Sequence, residues 1–387
     1  MKIKNIEPIV LYAQDTTTGF SDKPNVGGYT GYQVIVRVET DNGIVGWGEC
    51  CTGSDYGEAA FAVKLLIERG LSSRIIGQNP ANYRRIWERL YSAVEWYGRR
   101  GLGIFALSGI DTALMDLVGR AHEIPAYELL GGCFRKEVPL YASLLFDMDD
   151  PEGTARKGER YIRDGYVGAK FGWGMLPSKP FGADADADEK IVATIRNVLG
   201  PHAWLMIDVG RYVNWTRNYA IQMAKRLEKY GIFWLEEALP QDDVEGFVEL
   251  ARAVDVTIAA GEGYQTLHDF SDLLSRRALD LIQPDVSKAG GLSETKRIVE
   301  LARAYNVRWV PHNWSTAINT AASLQLVASA PDAFLLEFKQ EPNPLIHELS
   351  KSKFEVNKGK LTVPDTPGLG IEIDEKVVEK YRVQLTN

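Results

Sequence analysis

The chain has 387 residues, 45% hydrophobic and 25% charged, with a formal charge of −8. That is the balance of an ordinary globular protein, long enough for two domains or one domain with an appendage. The acid excess excludes a binder of nucleic-acid phosphates, which needs clustered Lys and Arg. No run of about 18 uncharged apolar residues is present to cross a bilayer.

The opening MKIKNIEPIV is broken by Glu7 and Pro8, unlike a signal peptide. Cys50, Cys51 and Cys133 are too few, and two of them too adjacent, for a disulfide framework or a zinc site. A cytoplasmic protein with reduced thiols is expected.

The first 45 or so residues alternate as strands do, and Asp41-Asn42-Gly43 between two β-rich runs signals a hairpin. The Gly-, Thr- and Asp-rich stretch at 14–31 reads as a loop. Residues 56–132 carry helical spacing, so the opening third is an α+β unit. From Val138 onward the pattern changes. Eight β-like runs follow: VPLYASLL, VGAKFGW, AWLMIDVG, IFWLEEAL, VTIAAGEG, LDLIQPDV, VRWVPHNW and AFLLEFK. One amphipathic helical stretch separates each pair. Alternating βα units imply a parallel sheet, and eight strands imply closure into a barrel.

The predicted fold is therefore α/β, a (β/α)7β TIM-like barrel carrying an α+β N-terminal capping domain. The capping domain is expected to take 1–134 together with the C-terminal segment 352–387, whose strand-like FEVNKGKLTVPDTPGLGIEI returns to it. The barrel takes 135–351.

Polar residues recur where these runs end. Asp208, Glu236, Glu262, Asp285, His312 and Glu337 are separated by 28, 26, 23, 27 and 25 residues, one βα unit each time. Lys170 sits near the end of the second run. In a parallel barrel every strand's C-terminal end faces one rim, where catalytic groups gather. A lone carboxylate at such a place commonly caps a helix or pairs with a cation; six consecutive strands ending this way demand more. Three carboxylates at one rim raise each other's pKa unless a cation neutralises them. An oxygen-only trio suits a hard cation such as Mg²⁺. The residues thus predict a Mg²⁺ site with a lysine on one side and a His–Asp couple on the other. Four further histidines, His122, His202, His268 and His347, follow no barrel run and read as structural.

With GIVGWGE (43–49), ALSGIDTALMDLVGRAHEIPAYELLGG (106–132), MIDVG, WLEEALPQ, AAGEG, QPDVSKAGGL and VPHNW in order, the chain resembles the mandelate racemase subgroup of the enolase superfamily. The resemblance implies Asp208, Glu236 and Glu262 as metal ligands, Asp285 and His312 as the catalytic dyad, and Glu337 as a hydrogen-bond partner of the substrate carboxylate. Lys288, three residues beyond Asp285, reads as a solvated side chain rather than a base.

Relatives usually carry Lys-x-Lys at the second strand, whereas this chain has Lys170 followed by Gly172. Lys170 fits either register, and with it a base role. The third strand reads Asp-Val-Gly-Arg, which offers Arg211 for an acidic substrate. A single lysine with VPH and an EE-A-LP run is most similar to acid-sugar dehydratases. That likeness implies C2 proton removal by Lys170 or His312, then protonation of the leaving 3-hydroxyl by His312. Glu237, Trp173, Asn313 and Trp314 are expected to line the pocket, and the loop tyrosines Tyr29, Tyr32 and Tyr56 to meet sugar hydroxyls.

A lactone cycloisomerase or an epimerase using the same enediolate is the nearest alternative, and a non-catalytic sugar-acid binder the more distant one. The expected partner is a small sugar acid, with no nucleic acid and no membrane. The resemblance also favours a homo-oligomer built from dimers, up to an octamer.

Overall fold

A computed structural model describes residues 1–13, 31–54, 56–174, 180–210, 213–340 and 343–384. Three antiparallel strands open it: β1 (Ile3–Tyr12), β2 (Tyr32–Thr40) and β3 (Val45–Ser54). The turn between β2 and β3 runs through Asp41-Asn42-Gly43, where Gly43 takes φ 84° and its N–H closes onto the Thr40 carbonyl at 3.0 Å.

The helix Leu102–Ala121 lies directly on β3. Among the described residues it is the one helix long and apolar enough, by composition alone, to cross a membrane. Here its apolar surface is buried in the capping unit instead. The close approach explains the glycines of Gly46-Trp47-Gly48. A Cβ on Gly48 would stand 2.0 Å from the Gly109 carbonyl oxygen, and one on Gly46 2.2 Å from that of Ala113. Gly48→Ala is expected to cost about 1–3 kcal/mol through overpacking, read as a lower urea midpoint. An unchanged midpoint would show that the helix can slide away.

Eight parallel strands follow: β4 (Glu137–Leu145), β5 (Gly168–Gly172), β6 (Trp204–Asp208), β7 (Ile232–Glu236), β8 (Thr257–Ala260), β9 (Leu281–Ile282), β10 (Arg308–Trp309) and β11 (Leu336–Lys339). One helix stands between each pair. The hydrogen-bonded order is β10-β9-β8-β7-β6-β5-β4-β11. Asn313, just past β10, bonds to Glu337 of β11 through its side-chain and backbone N–H groups, so the two ends of the sheet meet.

β9 and β10 are shorter than the apolar runs that announce them. Pro284 and Pro311 have no N–H to continue a ladder. Asp285 and His312 consequently sit on the loops just past their strands rather than at the last strand residue, and Glu262 lies likewise past β8, after Gly261.

The barrel interior is filled, as side-chain layers require. Trp204 stacks on Phe233 at 4.3 Å near the strand starts. Tyr141, Met206, Trp234, Ala259, Leu281, Val310 and Leu335 form a buried cluster above it. Strand side chains alternate, so the inward position two residues beyond Met206, Trp234 and Leu335 belongs to Asp208, Glu236 and Glu337.

The C-terminal segment departs from expectation. Its strand β12 (Lys360–Thr362) pairs antiparallel with β4 of the barrel rather than with the opening sheet. Only afterwards does the chain reach the capping unit, through Gly368 beside Pro125 and Arg382 beside Leu11. The start of β4 precedes the parallel part of the barrel and offers β12 a free edge.

Candidate active site

Lys170 lies in mid-β5, opposite Ser143 of β4 and Met206 of β6. Its Nζ reaches Glu236 Oε1 at 2.6 Å, Glu337 Oε1 at 3.0 Å and Asp208 Oδ2 at 3.4 Å. Gly172, not Lys170, is level with Asp208. Lys170 therefore occupies the inner of two inward-facing positions and Gly172 the outer.

The carboxylates around it are held on their far sides. Glu236 Oε2 accepts from Trp234 Nε1 at 2.9 Å and Gln283 Nε2 at 2.8 Å. Glu337 accepts from Ser143 Oγ and the Asn313 N–H, each at 2.7 Å. Asp208 differs: its Oδ1 is buried and has no hydrogen-bond partner.

Across the mouth, His312 Nδ1 contacts Asp285 Oδ2 at 2.7 Å and Nε2 contacts Glu262 Oε2 at 3.0 Å. Asp285 Oδ1 accepts from the Ser287 N–H (2.8 Å), Ser287 Oγ (2.6 Å) and Asn319 Nδ2 (3.2 Å). Burial works against the charged imidazole, yet Glu262 foremost, with Glu337 and Asp285, pushes His312 up to about 10. Burial would raise Asp285, but the His312 hydrogen bond and the Lys288 charge hold it below the usual carboxylate range.

Lys288 is not the solvated side chain its sequence position suggests. It is 5% exposed, with Nζ 3.8 Å from Asp285 Oδ2 and 3.9 Å from Glu262 Oε1. The turn that bonds the Lys288 N–H to the Asp285 carbonyl folds the side chain back over the mouth.

Negative charge is in excess here. Asp208, Glu236, Glu237, Glu262, Asp285 and Glu337 face Lys170, Lys288 and His312. Burial, then Glu236, raises Asp208 well above its ordinary value despite Lys170. Burial and Glu262 push Glu237 up to about 8. A cleft of about 810 Å³ between the capping unit and the barrel opens onto this cluster at Glu262 and Lys288. A depression of about 10 Å³ lies over Lys170 and Asp208, walled by Trp173 and Trp314.

The remaining expected pocket residues scatter. Glu237 adjoins the cluster with its backbone at φ 48°, and its Oε1 accepts the Gly261 N–H. Asn313 lines neither cavity, and its amide is engaged within the protein: its Nδ2 is bonded to the Glu337 carbonyl and its Oδ1 to Thr320 Oγ. Together with its backbone N–H, it ties Glu337 to the end of β10. Tyr56 is 67% exposed and lines neither cavity, and Tyr32 packs on Tyr12 and Phe61. Tyr29 and Arg211 lie outside the described residues, as does all of the predicted loop but residue 31. Sequence reasoning missed Trp234, Ser143 and Gln283. The period-2 rule signals Trp234, two residues before Glu236; nothing local marks Ser143.

Residues 153–377 match the family model of the enolase C-terminal domain-like fold. Residues 29–131 match that of the mandelate racemase / muconate lactonizing enzyme N-terminal domain. The chain belongs to the enolase superfamily, in its mandelate racemase-like branch.

Within this superfamily it is 33% identical to a D-galactarolactone cycloisomerase of Agrobacterium fabrum, over 90% of this chain and 91% of that one. It is 31% identical to an arabinonate dehydratase of Saccharolobus solfataricus, over 90% of each chain. Among solved structures, the 3,6-anhydro-D-galactonate cycloisomerase from Zobellia galactanivorans superposes with a TM-score of 0.86 at 31% identity, covering 99% of this chain and all of that one.

Members of this superfamily typically bind Mg²⁺. Among the described residues no three His, Cys, Asp or Glu side chains are drawn into a ready cation cage. Lys170 takes an oxygen of Glu236, and His312 takes one of Glu262. The donors nonetheless fit such an ion. They are oxygens at or just past the ends of three successive strands, they carry uncompensated charge, and Asp208 Oδ1 is buried without a partner.

Proposed function

We propose that this enzyme catalyses β-elimination from a sugar acid, taking the proton at C2 and expelling the oxygen at C3. The observation that carries the reading is the His312–Asp285 pair at 2.7 Å facing, across one barrel mouth, the oxygen donors Asp208, Glu236 and Glu262. A Mg²⁺ held by those three carboxylates would supply the positive charge that makes a proton beside a carboxylate acidic enough to remove.

The protein's own groups do the rest. Asp285 fixes the imidazole by its Nδ1 and leaves Nε2 turned to the mouth. Glu262, the neighbour that most favours the charged imidazole, would turn from Nε2 to the ion. The neutral Nε2 then takes the C2 proton and, as imidazolium, returns a proton to the C3 oxygen as the C3–O bond breaks. The electron pair from the C2–H bond ends in a C2=C3 double bond, and the resulting enol tautomerises to a 2-keto-3-deoxy acid. Lys170, engaged with three carboxylates below the mouth, neutralises charge and leaves the proton transfers to His312.

When the C3 oxygen is a hydroxyl, the product is lighter by one water and the enzyme is a dehydratase of an aldonate or aldarate. When that oxygen belongs to a ring of the substrate, the same steps open the ring and leave the formula unchanged. The two cycloisomerases among the relatives favour keeping this second outcome. Screening sugar acids and their anhydro or lactone forms for semicarbazide-reactive keto acid, with product mass, separates the two. Turnover is expected in at least one case and is expected to disappear with EDTA. No keto acid from any of them would overturn the reading.

A further inference from the structure

The GWGE run ends in Glu49, which the mechanism above leaves unused. It lies in β3 of the capping unit, 2% exposed, and points its carboxylate across the domain boundary. Its oxygens accept from Ser315 Oγ, from the Thr316 N–H (3.2 Å), from Thr316 Oγ (2.6 Å) and from the Asn319 N–H (3.0 Å). These donors belong to the loop that begins at His312 and to the first turn of the helix Ala317–Ala328. Asn319 then passes the connection on, its Nδ2 donating to Asp285 Oδ1 at 3.2 Å.

Two residues along the same strand, the Cys51 N–H donates to the Ser287 carbonyl at 3.2 Å. Ser287 in turn gives Asp285 Oδ1 two hydrogen bonds. One edge of the capping sheet therefore grips both segments that carry the dyad, Glu49 on the histidine side and Cys51 on the aspartate side. A domain boundary needs nothing so specific for adhesion alone, since four donors converging on one buried carboxylate fix position in three dimensions.

The geometry points to Glu49 as a positioning residue: seated on residues 315–319, it sets the orientation of the His312 ring against Asp285, so that the dyad is assembled only with the capping domain in place. This rests on the reading of His312–Asp285 as the acid–base couple. Glu49→Gln keeps the size but turns an amide N–H₂ toward donors. It is expected to lower kcat by about 10- to 100-fold, the usual cost of disturbing an outer partner or misplacing a reacting group, with KM unchanged.

The same variant, labelled with ¹⁵N-histidine, reports without any substrate. The downfield Nδ1–H resonance of His312, assigned by its loss in His312→Asn, is expected to shift or broaden. Thr316→Val, which removes one of the four donors, should move both readouts the same way by less, and it serves should Glu49→Gln not fold. A lower melting temperature with kcat and the resonance at wild-type values would make Glu49 a fastener only and overturn the proposal. Wild-type protein inert towards every sugar acid would sink the elimination reading; the resonance would still decide the role of Glu49.

Discussion

His312→Asn is expected to lower kcat by about 10²–10⁴-fold, the contribution of a positioned acid–base group. The side chain keeps a polar atom near the Nδ1 position, so Asp285 retains a partner and the fold should persist. Because one imidazole is assigned both proton transfers, the variant should also lose exchange of the C2 hydrogen with deuterium from solvent. Loss of turnover with exchange retained would assign C2 deprotonation to another group, and Lys170 would be the first candidate. Wild-type turnover would remove His312 from the chemistry altogether.

The second large effect concerns Lys170. Its ammonium is 2% exposed and touches Glu236, Glu337 and Asp208. Breaking such a buried cluster by deleting the cation costs about 3–5 kcal/mol, because the remaining charges are left uncompensated. Lys170→Met should therefore lower the melting temperature substantially. A divalent ion bound by the same carboxylates stabilises the folded state by mass action, so saturating Mg²⁺ should restore more stability to the variant than it adds to wild type. An unchanged melting temperature would mean that Lys170 does not neutralise the cluster. A drop that Mg²⁺ leaves untouched would separate the lysine's role from the metal's.

The fold was legible because its signal is periodic. Apolar runs recur once per βα unit, and the capping helix Leu102–Ala121 repeats small residues where β3 approaches. Asp208 and Glu236 were legible for the same reason: each ends an apolar run, one βα unit from the next, where a parallel barrel gathers its polar groups.

What escaped were matters of direction after the chain leaves the strand. Lys288 reads as solvated until the turn at Asp285 folds it over the mouth. The pairing of β12 with β4 depends on which strand edge is left open, and that is decided by the whole barrel. Glu49 is the extreme case. Its partners stand 266 to 270 residues away, so no local pattern distinguishes it from any other strand carboxylate. The register of Lys170, ambiguous by counting, is settled by the pairing of Gly172 with Asp208.

The central claim is that Asp208, Glu236 and Glu262 share one divalent cation at the mouth that His312 overlooks. Anomalous diffraction from crystals soaked in Mn²⁺ reads this directly. The account predicts a single strong peak bounded by those three carboxylates, with the Lys170 ammonium displaced from Glu236 and Glu262 drawn off His312. A peak elsewhere, or none at saturating Mn²⁺ with Lys170 still seated among the carboxylates, would contradict it.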